Sequence, residues 1–239
     1  MTSLPPVEFD QHLALDEKSK QKVLNSLKFR DWRENAEKIA TSEVDVKRIR
    51  VVDVDFFGPN VGFLKINCDV FRKSDGSFVP GISFIRGGSV AILVLVKVPE
   101  LKQNYFLMTE QIRFPVGRYC TEAPAGMLDE DGNFVGVAAK EIKEETGIVL
   151  ERKSLHSLGS IFPSPGGCDE EIHLFWAEVQ MSQAEFEEKE KRSYGAEDEG
   201  ESIRLKFINT QDMQDELNKI GDVKAECAYR RWLNRPIEF

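Results

Sequence analysis

The first 84 residues combine a helical pattern with two strand patterns. Apolar residues within 16–40 recur close to the spacing of one helical face, which predicts one helix, with a break near Trp32 as an open alternative. Residues 44–57 alternate in the manner of a strand, and a Gly-Pro-Asn turn separates them from a second strand at 62–72. We therefore predict an N-terminal helix plus antiparallel-sheet module over residues 1–84.

The pattern changes after residue 84, which predicts a second domain over residues 85–239. Residues 90–96 form an unbroken apolar run, typical of a strand that is buried on both faces. The other strands are predicted at 105–113, 157–162, 171–179 and 203–208, and the helices at 135–146, 182–192 and 222–234. This second domain therefore interleaves strands with helices.

The composition is that of a soluble, acidic, globular protein. The 239 residues, 41% of them hydrophobic, suffice for one sizeable domain and a smaller one. Asp and Glu number 41 against 32 Lys and Arg, so the formal net charge is −9, which argues against nucleic-acid binding. No apolar run approaches the roughly 18 residues of a membrane span, so no membrane partner is expected. An acidic enzyme with an anionic substrate needs locally placed arginines or bound cations.

The cysteines and histidines argue against a zinc or redox centre. No pair of the four cysteines has the spacing of a zinc-binding or redox motif. The three histidines include no His-x-x-x-His pattern. Metal chemistry, if present, is therefore expected to use hard oxygen ligands.

An acidic cluster lies on the helix predicted at 135–146. Glu141, Glu144 and Glu145 share one side of a helix with 3.6 residues per turn, where like charges repel. A divalent cation held by carboxylate oxygens would offset this repulsion. A solvated surface face is the other explanation, and periodicity alone favours it because acidic helix faces are common.

The spacing around this helix resembles the box motif of the Nudix hydrolases. That motif runs Gly, five residues, Glu, seven residues, Arg-Glu, an apolar residue, any residue, Glu-Glu, any residue, Gly and an apolar residue. Seven of its positions are matched here, by Gly126, Glu141, Ile142, Glu144, Glu145, Gly147 and Ile148. Two positions depart from it, since Gly132 replaces the early Glu and Lys140 replaces Arg. In the family those two residues support the loop–helix geometry, so the departure concerns the rigidity of the box more than metal binding.

The resemblance implies a fold, a reaction and a metal site. The fold is α+β, an α/β/α Nudix sandwich with a mixed sheet between helices. The reaction is magnesium-dependent hydrolysis of a pyrophosphate bond. Glu141, Glu145 and the Ala125 carbonyl would ligate Mg²⁺, with Mn²⁺ as a substitute, and Glu144 would join them or bridge a second ion. Such ions neutralise the pyrophosphate and lower the pKa of the attacking water.

A loop outside the box resembles that of the ADP-ribose and ADP-sugar pyrophosphatase subgroup. Residues 159–170 contain Ser-Pro-Gly-Gly followed by Cys-Asp-Glu. Without the box, an ordinary Pro/Gly turn would explain this loop. The resemblance implies that Gly166, Gly167 and Glu170 lie near the substrate.

A strand end ahead of the box also resembles this subgroup. Residues 110–113 read Glu-Gln-Ile-Arg, and in the subgroup this arginine contacts the substrate phosphates or the terminal sugar. Arg113 is thus an implied substrate ligand, although a surface arginine is the simpler explanation. Arg86, before the apolar strand, is a weaker candidate of the same kind.

The third feature is the acidic segment 196–204, which enters a predicted strand. Such loops are usually just solvated. In the register of the subgroup, Glu199 is the general base that activates water and Glu201 is a further metal ligand. The alignment of this loop leaves Glu197 or Asp198 open as the base.

The resemblance covers residues 86–234, and the long helical front is similar to plant ADP-sugar diphosphatases, including the plastidial type that cleaves ADP-glucose. It implies hydrolysis of ADP-glucose or ADP-ribose to AMP and sugar phosphate, and a homodimer formed through residues 1–84. It also implies a chloroplast location, with the cytoplasm as the alternative, because composition does not reveal the compartment.

Two other classes of function stay open. One is a Nudix hydrolase of NADH, dinucleoside polyphosphates, coenzyme A or capped RNA, against which the Ser-Pro-Gly-Gly loop and the acidic pI of about 5.1 both argue. The other is a catalytically silent nucleotide-sugar-binding protein, prompted by Gly132 and Lys140. The three intact box glutamates argue against it.

Overall fold

The computed structural model describes residues 4–128, 133–195 and 202–235. The chain forms two compact units, Met1–Gly88 with Phe162–Glu171, and Ser89–Ile161 with Ile172–Phe239. The sequence predicts one domain boundary, at residue 84, and therefore places residues 162–171 in the second domain. In the structure this segment clusters with the first unit, so the chain leaves the second unit after Ile161 and returns to it at Ile172.

The first unit is a five-stranded sheet with two helices. Its strands are β1 (Val7–Phe9), β2 (Val44–Phe57), β3 (Asn60–Arg72), β4 (Phe78–Val79) and β5 (Ile82–Ile85), and its helices are α1 (Glu17–Asn25) and α2 (Leu27–Ser42). The order is β1-β2-β3-β4, with β5 also on β3; β1 and β2 are parallel and the other pairs antiparallel. Val23 of α1 and Phe29 of α2 are buried with Ile49 and Ile66 of the sheet in one core.

The helical segment of this unit is two helices rather than one, and the break lies at Ser26 rather than near Trp32. Ser26 has extended backbone angles, φ −61° and ψ 143°, and it ends α1 and caps α2. Its hydroxyl donates to the Val23 carbonyl at 2.8 Å. Trp32 lies inside α2, with its ring centroid 5.7 Å from that of Phe29. The apolar pattern missed the break because a capping serine leaves the spacing of the apolar residues unchanged.

The second unit is built on an eight-stranded sheet. Its strands are β6 (Ser89–Val98), β7 (Gln103–Arg113), β8 (Arg118–Glu122), β9 (Ala125–Met127), β10 (His156–Ile161), β11 (Ile172–Gln180), β12 (Ser193–Tyr194) and β13 (Ile203–Asn209). The order is β10-β11-β6-β7-β13-β12, with β8 on β7 and β9 on β6. Only the β6–β11 pair is parallel among these described pairs, so the sheet is mixed.

Helices cover both faces of this sheet. They are α3 (Phe134–Thr146), α4 (Gln183–Lys191), α5 (Met213–Ile220) and α6 (Val223–Leu233). Alternate residues of β6 enter opposite cores: Ile92 packs in the core with residues of α3 and α4, and Leu93 in the core with residues of α5 and α6. The predicted strand buried on both faces and the α/β/α sandwich are thereby confirmed.

Short elements account for most of what the pattern did not predict. α5 and the strands β8, β9 and β12 were not predicted, and three of these are only two to five residues long. Such strands are too short for a period of two to be recognised. Across the described ranges, no helix is long and apolar enough to cross a membrane.

Candidate active site

Helix α3 carries the three box glutamates and is capped at both ends. At its start the Asn133 side chain accepts a hydrogen bond from the Gly136 N–H at 3.0 Å. At its end Gly147 adopts φ 67°, the left-handed conformation that glycine favours, which confirms the predicted helix stop. Val137 and Ile142 are buried against the sheet, and this packing sets the rotation of α3 about its axis.

Two of the glutamates meet the same short strand. Glu145 is 4% exposed, and its Oε2 accepts a hydrogen bond from the Ala125 N–H at 3.1 Å. The Glu141 side chain lies on Gly126, because a Cβ built there would come within 1.9 Å of the Glu141 Cδ. Only glycine leaves room for the carboxylate at this position. The carboxyl groups of Glu141 and Glu145 therefore converge on neighbouring residues of β9.

Glu144 points elsewhere. It is exposed, and its carboxylate lies 3.7 Å from the Nζ of Lys140, one helical turn earlier. The lysine that replaces the family arginine thus pairs with a box glutamate. Residues 129–132, which include Gly132 at the position of the early family Glu, lie outside the described residues.

The chemistry of this corner suits a hard divalent cation. Two carboxylates and the backbone of Ala125 supply oxygen donors at neighbouring positions, as magnesium prefers. Within 4–128, 133–195 and 202–235, no group of three or more His, Cys, Asp or Glu side chains is already gathered as a metal site. Glu144 would have to turn away from Lys140 to join the other two.

The C-terminal end of α3 lies beside the start of the acidic loop. Lys189 of α4 is 8% exposed and donates from Nζ to the Thr146 carbonyl at 3.1 Å. This carbonyl at the C-terminal end of α3 thereby gains a hydrogen-bond partner and a nearby positive charge. The Lys189 Nζ lies 5.4 Å from the centre of the Tyr194 ring. A Cβ on Gly147 would approach Tyr194 to 2.9 Å, so this tyrosine packs on the helix end.

The acidic loop connects β12 to β13. Tyr194 pairs with Ile203 in this hairpin, so both ends of the loop leave from the side of α3 that carries Gly147. A polar cavity of about 670 Å³ is lined here by Glu144, Tyr194 and Ser202, among others. Glu199, Glu201, Glu197 and Asp198 themselves lie outside the described residues.

Arg113 ends β7 and belongs to a row of alternating charges. Its Nε donates to the Glu122 Oε2 at 2.6 Å. The other oxygen of Glu122 accepts from the Lys224 Nζ at 2.9 Å, and Lys224 also lies 3.0 Å from Asp222. Burial alone raises the pKa of Glu122, but Lys224 and Arg113 outweigh it and hold that pKa below its usual value.

The Ser-Pro-Gly-Gly loop is held by backbone hydrogen bonds to β5 and the residues after it. Phe84 N–H donates to the Gly167 carbonyl at 2.8 Å. The Asp169 carboxylate accepts from the N–H groups of Arg86 and Gly87 at 2.8 and 3.2 Å. Arg86 in turn lies 3.5 Å from Glu170 through its Nη2. The structure therefore brings Arg86 and Glu170 together, as two of the predicted substrate ligands.

Sequence reasoning missed Glu122, Asp222 and Lys224. About a hundred residues separate Glu122 from the other two, and nothing in their local pattern marks them. The one available signal was Asp222 itself, a good N-cap residue at the start of the helix predicted at 222–234.

Comparison with known proteins identifies the family. The NUDIX domain model matches residues 88–229, more than half of the chain. Nudix hydrolase 14, chloroplastic, of Arabidopsis thaliana is 36% identical over 217 residues, which cover 85% of this chain and 69% of that protein. An ADP-ribose pyrophosphatase of Bacillus subtilis is 32% identical over 142 residues, covering 59% of this chain and 69% of that protein. Among solved structures, that of an ADP compounds hydrolase matches with a TM-score of 0.58 at 16% identity, covering 81% of this chain and 95% of the other.

The fold and the glutamate-bearing helix define a hydrolase built on the Nudix sandwich, and this chain belongs to the Nudix family. It is an enzyme of the pyrophosphohydrolase class, as the box predicted. The likeness to the solved structure concerns the fold alone, because the two sequences are only 16% identical.

Proposed function

We propose that this chain hydrolyses the pyrophosphate bond of ADP-sugars such as ADP-ribose and ADP-glucose, in the presence of Mg²⁺, to AMP and a sugar phosphate. Water adds across one P–O bond of the bridge, so one phosphate receives the hydroxyl and the other leaves as a phosphate monoester. The observation that carries the proposal is the convergence of Glu141 and Glu145 on Ala125 and Gly126.

The proposed metal ligands are Glu141, Glu145 and the Ala125 carbonyl, with Glu144 and Glu201 completing the set. Mg²⁺, or Mn²⁺ in its place, would neutralise the pyrophosphate and make the attacking water more acidic. The protein's own contacts hold two of these carboxylates, because Glu145 is hydrogen-bonded to Ala125 of β9 and Glu141 lies against Gly126. Such preorganisation lowers the reorganisation cost of binding the cation.

Arg113 and Arg86 are the proposed cationic substrate ligands. The Nε of Arg113 donates to Glu122, and this hydrogen bond constrains the orientation of the guanidinium group. Arg86 lies 3.5 Å from Glu170 through its Nη2, which links it to the loop that carries Gly166 and Gly167.

Gly166 and Gly167 are proposed to let the substrate approach the backbone of the loop. A Cβ at either position would meet no atom within 4 Å, and neither residue has a positive φ. Nothing in the described protein itself therefore requires glycine at these two positions. Close approach by a ligand would explain both.

Glu199 is proposed as the general base, with Glu197 or Asp198 as the alternative in a shifted register. Support comes from the loop ends, which leave from beside Gly147 and Glu144 of the box helix. Glu199→Gln should lose most of its kcat and keep its Mg²⁺ activation constant. If Glu201→Gln alone shows that pattern, the register is off by two.

The substrate class rests on relatives as well as on the site. The Bacillus subtilis relative is called an ADP-ribose pyrophosphatase, and the solved structure that matches is called an ADP compounds hydrolase. We carry the ADP moiety over to this chain as a proposal. The name of the Arabidopsis relative, with the motif resemblance, supports a chloroplast location, and a homodimer through residues 1–84 is proposed from the resemblance.

A substrate panel tests this function. The purified enzyme with Mg²⁺ would be given ADP-ribose, ADP-glucose, NADH, a dinucleoside polyphosphate and coenzyme A, and the products separated by chromatography. The expected result is AMP with ribose or glucose phosphate, at a kcat/KM for the ADP-sugars well above that for the others. Preference for NADH or coenzyme A would overturn the substrate class, and binding of an ADP-sugar without turnover would favour a silent binding protein.

A further inference from the structure

The start of α6 holds two charged residues, Asp222 and Lys224, whose side chains are largely buried and which the proposed chemistry does not use. The side chains of Lys224 and Asp222 are 14% and 6% exposed, and they lie 3.0 Å apart. Glu122, which lies 2.9 Å from Lys224, is also 14% exposed. Charged groups are rarely buried this deeply unless each has a partner, so the arrangement has to be explained by what it holds in place.

The row of charges begins at Arg113. From Arg113 to Glu122, to Lys224 and to Asp222, cation and anion alternate, and every neighbouring pair is within 3.0 Å. Lys224 contacts the carboxylates of both Glu122 and Asp222, and its positive charge offsets the repulsion between these two partly buried groups. Burial alone lowers the pKa of Lys224, but Asp222 and Glu122 outweigh it and raise that pKa, so the lysine stays charged.

Asp222 connects the same row of charges to the backbone just before β9, the strand that contains the proposed metal ligand Ala125. Its Oδ2 accepts a hydrogen bond from the Ala123 N–H at 2.9 Å, two residues before Ala125. The carboxylate also caps α6 by accepting from the N–H groups of Lys224 and Ala225 at 3.2 and 3.3 Å. The N-terminus of α6 is thereby anchored to the backbone that leads into β9.

We propose that Lys224, with Asp222 as its anchor, is a positioning residue that orients Arg113 for the substrate by holding Glu122 between the two cations. The inference rests on the proposed function, since it needs Arg113 to contact the substrate. Removal of the ammonium leaves Glu122 paired with Arg113 alone, so the carboxylate loses the contact that fixes its position and can move together with the Arg113 guanidinium. The guanidinium then samples several orientations, and binding of the substrate phosphates weakens.

A double-mutant cycle tests this inference. Arg113→Ala, Lys224→Met and the double variant are compared with the wild type for kcat and KM on ADP-ribose, with circular dichroism and thermal unfolding as checks of folding. We expect Lys224→Met to lower kcat/KM about tenfold, mainly through KM, in the wild-type background and less than about twofold in the Arg113→Ala background. Lys224→Arg, which keeps the charge, should recover most of the loss.

The controls separate positioning from a general structural effect. Lys219→Met, which removes an exposed lysine of α5 paired only at the surface with Glu216, should leave kcat/KM unchanged. If Lys224→Met lowers kcat/KM by the same factor in both backgrounds, the residue is merely structural and the inference is wrong. If Arg113→Ala itself leaves kcat/KM unchanged while ADP-ribose is hydrolysed, the role of Arg113 fails and the inference fails with it, but the proposed reaction stands.

The inference can be tested even if Lys224→Met does not fold. Glu122→Gln keeps the shape of the side chain and removes the charge that Arg113 and Lys224 share. In the same cycle, Glu122→Gln should lower kcat/KM in the wild-type background and have a much smaller effect on kcat/KM in the Arg113→Ala background. Additive effects in that cycle would also overturn the proposal.

Discussion

The two regions that carry the predicted site residues are held in different ways. At β9, side chains fill the available space: Glu145 is buried and bonded to Ala125, and Glu141 occupies the position where a Gly126 side chain would be. In the segment Phe162–Glu171, backbone hydrogen bonds hold the chain, and Gly166 and Gly167 face open space. The first region is built to place charges, and the second is built to leave room.

The largest expected difference between the regions comes from one methyl group. Gly126→Ala should displace the Glu141 carboxylate, since its flexible end can move more easily than the strand, and should lower kcat roughly 100-fold with the fold intact. Gly166→Ala is the comparison from the other region: its Cβ meets no atom within 4 Å, so it should keep kcat and change only KM, as expected for a residue that the substrate approaches. Steady-state kinetics on ADP-ribose would measure kcat for both variants. Equal kcat values for Gly126→Ala and Gly166→Ala would contradict the proposed difference between the two regions.

The next largest effect concerns the end of the box helix. Lys189→Met removes the buried ammonium that satisfies the Thr146 carbonyl, and it should lower the free energy of unfolding by about 2 kcal/mol. Lys191→Met changes an exposed residue of α4, the helix that carries Lys189, and should change the free energy of unfolding by less than about 0.5 kcal/mol. Urea unfolding of the two variants measures the difference. Similar values would show that Lys189 does not secure α3.

A smaller effect is expected at the open glycines. Gly167→Ala introduces no contact within the protein, so its stability should stay the same or rise by up to about 1 kcal/mol. Its KM for ADP-ribose should nevertheless rise about fivefold, equivalent to about 1 kcal/mol, if the substrate approaches this backbone. An unchanged KM would mean that the loop does not contact the substrate at Gly167.

The smallest effect depends on pH. The pKa of Glu122 is held below its usual 4.5 in the folded protein, despite burial, by Lys224 and Arg113. The carboxylate therefore contributes stability above pH 4.5, and this contribution is lost as the pH falls through the lowered folded pKa. Glu122→Gln should be less stable than the wild type by about 1 kcal/mol near neutral pH, and the difference should shrink in acid. A constant difference would contradict the charge row.

The same contrast explains what could be predicted from the sequence. The run at residues 90–96 and the end of α3 at Gly147 could be predicted because burial and helix capping leave local signals. The short strand β9 could not, since three residues have no recognisable period, yet it is the strand that receives both box carboxylates. The box spacing predicts Glu141, Glu144 and Glu145 as candidate ligands, but it does not predict that Glu144 pairs with Lys140 instead of facing β9.

The residues that form the charge row with Arg113 could not be predicted from the sequence either. Glu122 and Lys224 lie about a hundred residues apart, and only the folding of β8 against β7 and the placement of α6 bring them together. The association of residues 162–171 with β5 likewise uses main-chain hydrogen bonds, which any residue type can make. The Asp169 carboxylate adds bonds to the N–H groups of Arg86 and Gly87, which lie more than 80 residues earlier in the chain.

The central claim is that Glu141 and Glu145 hold the cation that this hydrolysis needs. The most direct test is a Mg²⁺ titration of ADP-ribose hydrolysis by the wild type, Glu145→Gln and, as an exposed helix control, Lys143→Gln, each shown to be folded. We expect no activity after chelation, restoration by Mg²⁺ in the wild type and in Lys143→Gln, and a loss of roughly 100-fold or more in Glu145→Gln that added Mg²⁺ does not fully restore. Normal turnover by Glu145→Gln at the wild-type Mg²⁺ requirement would contradict the claim.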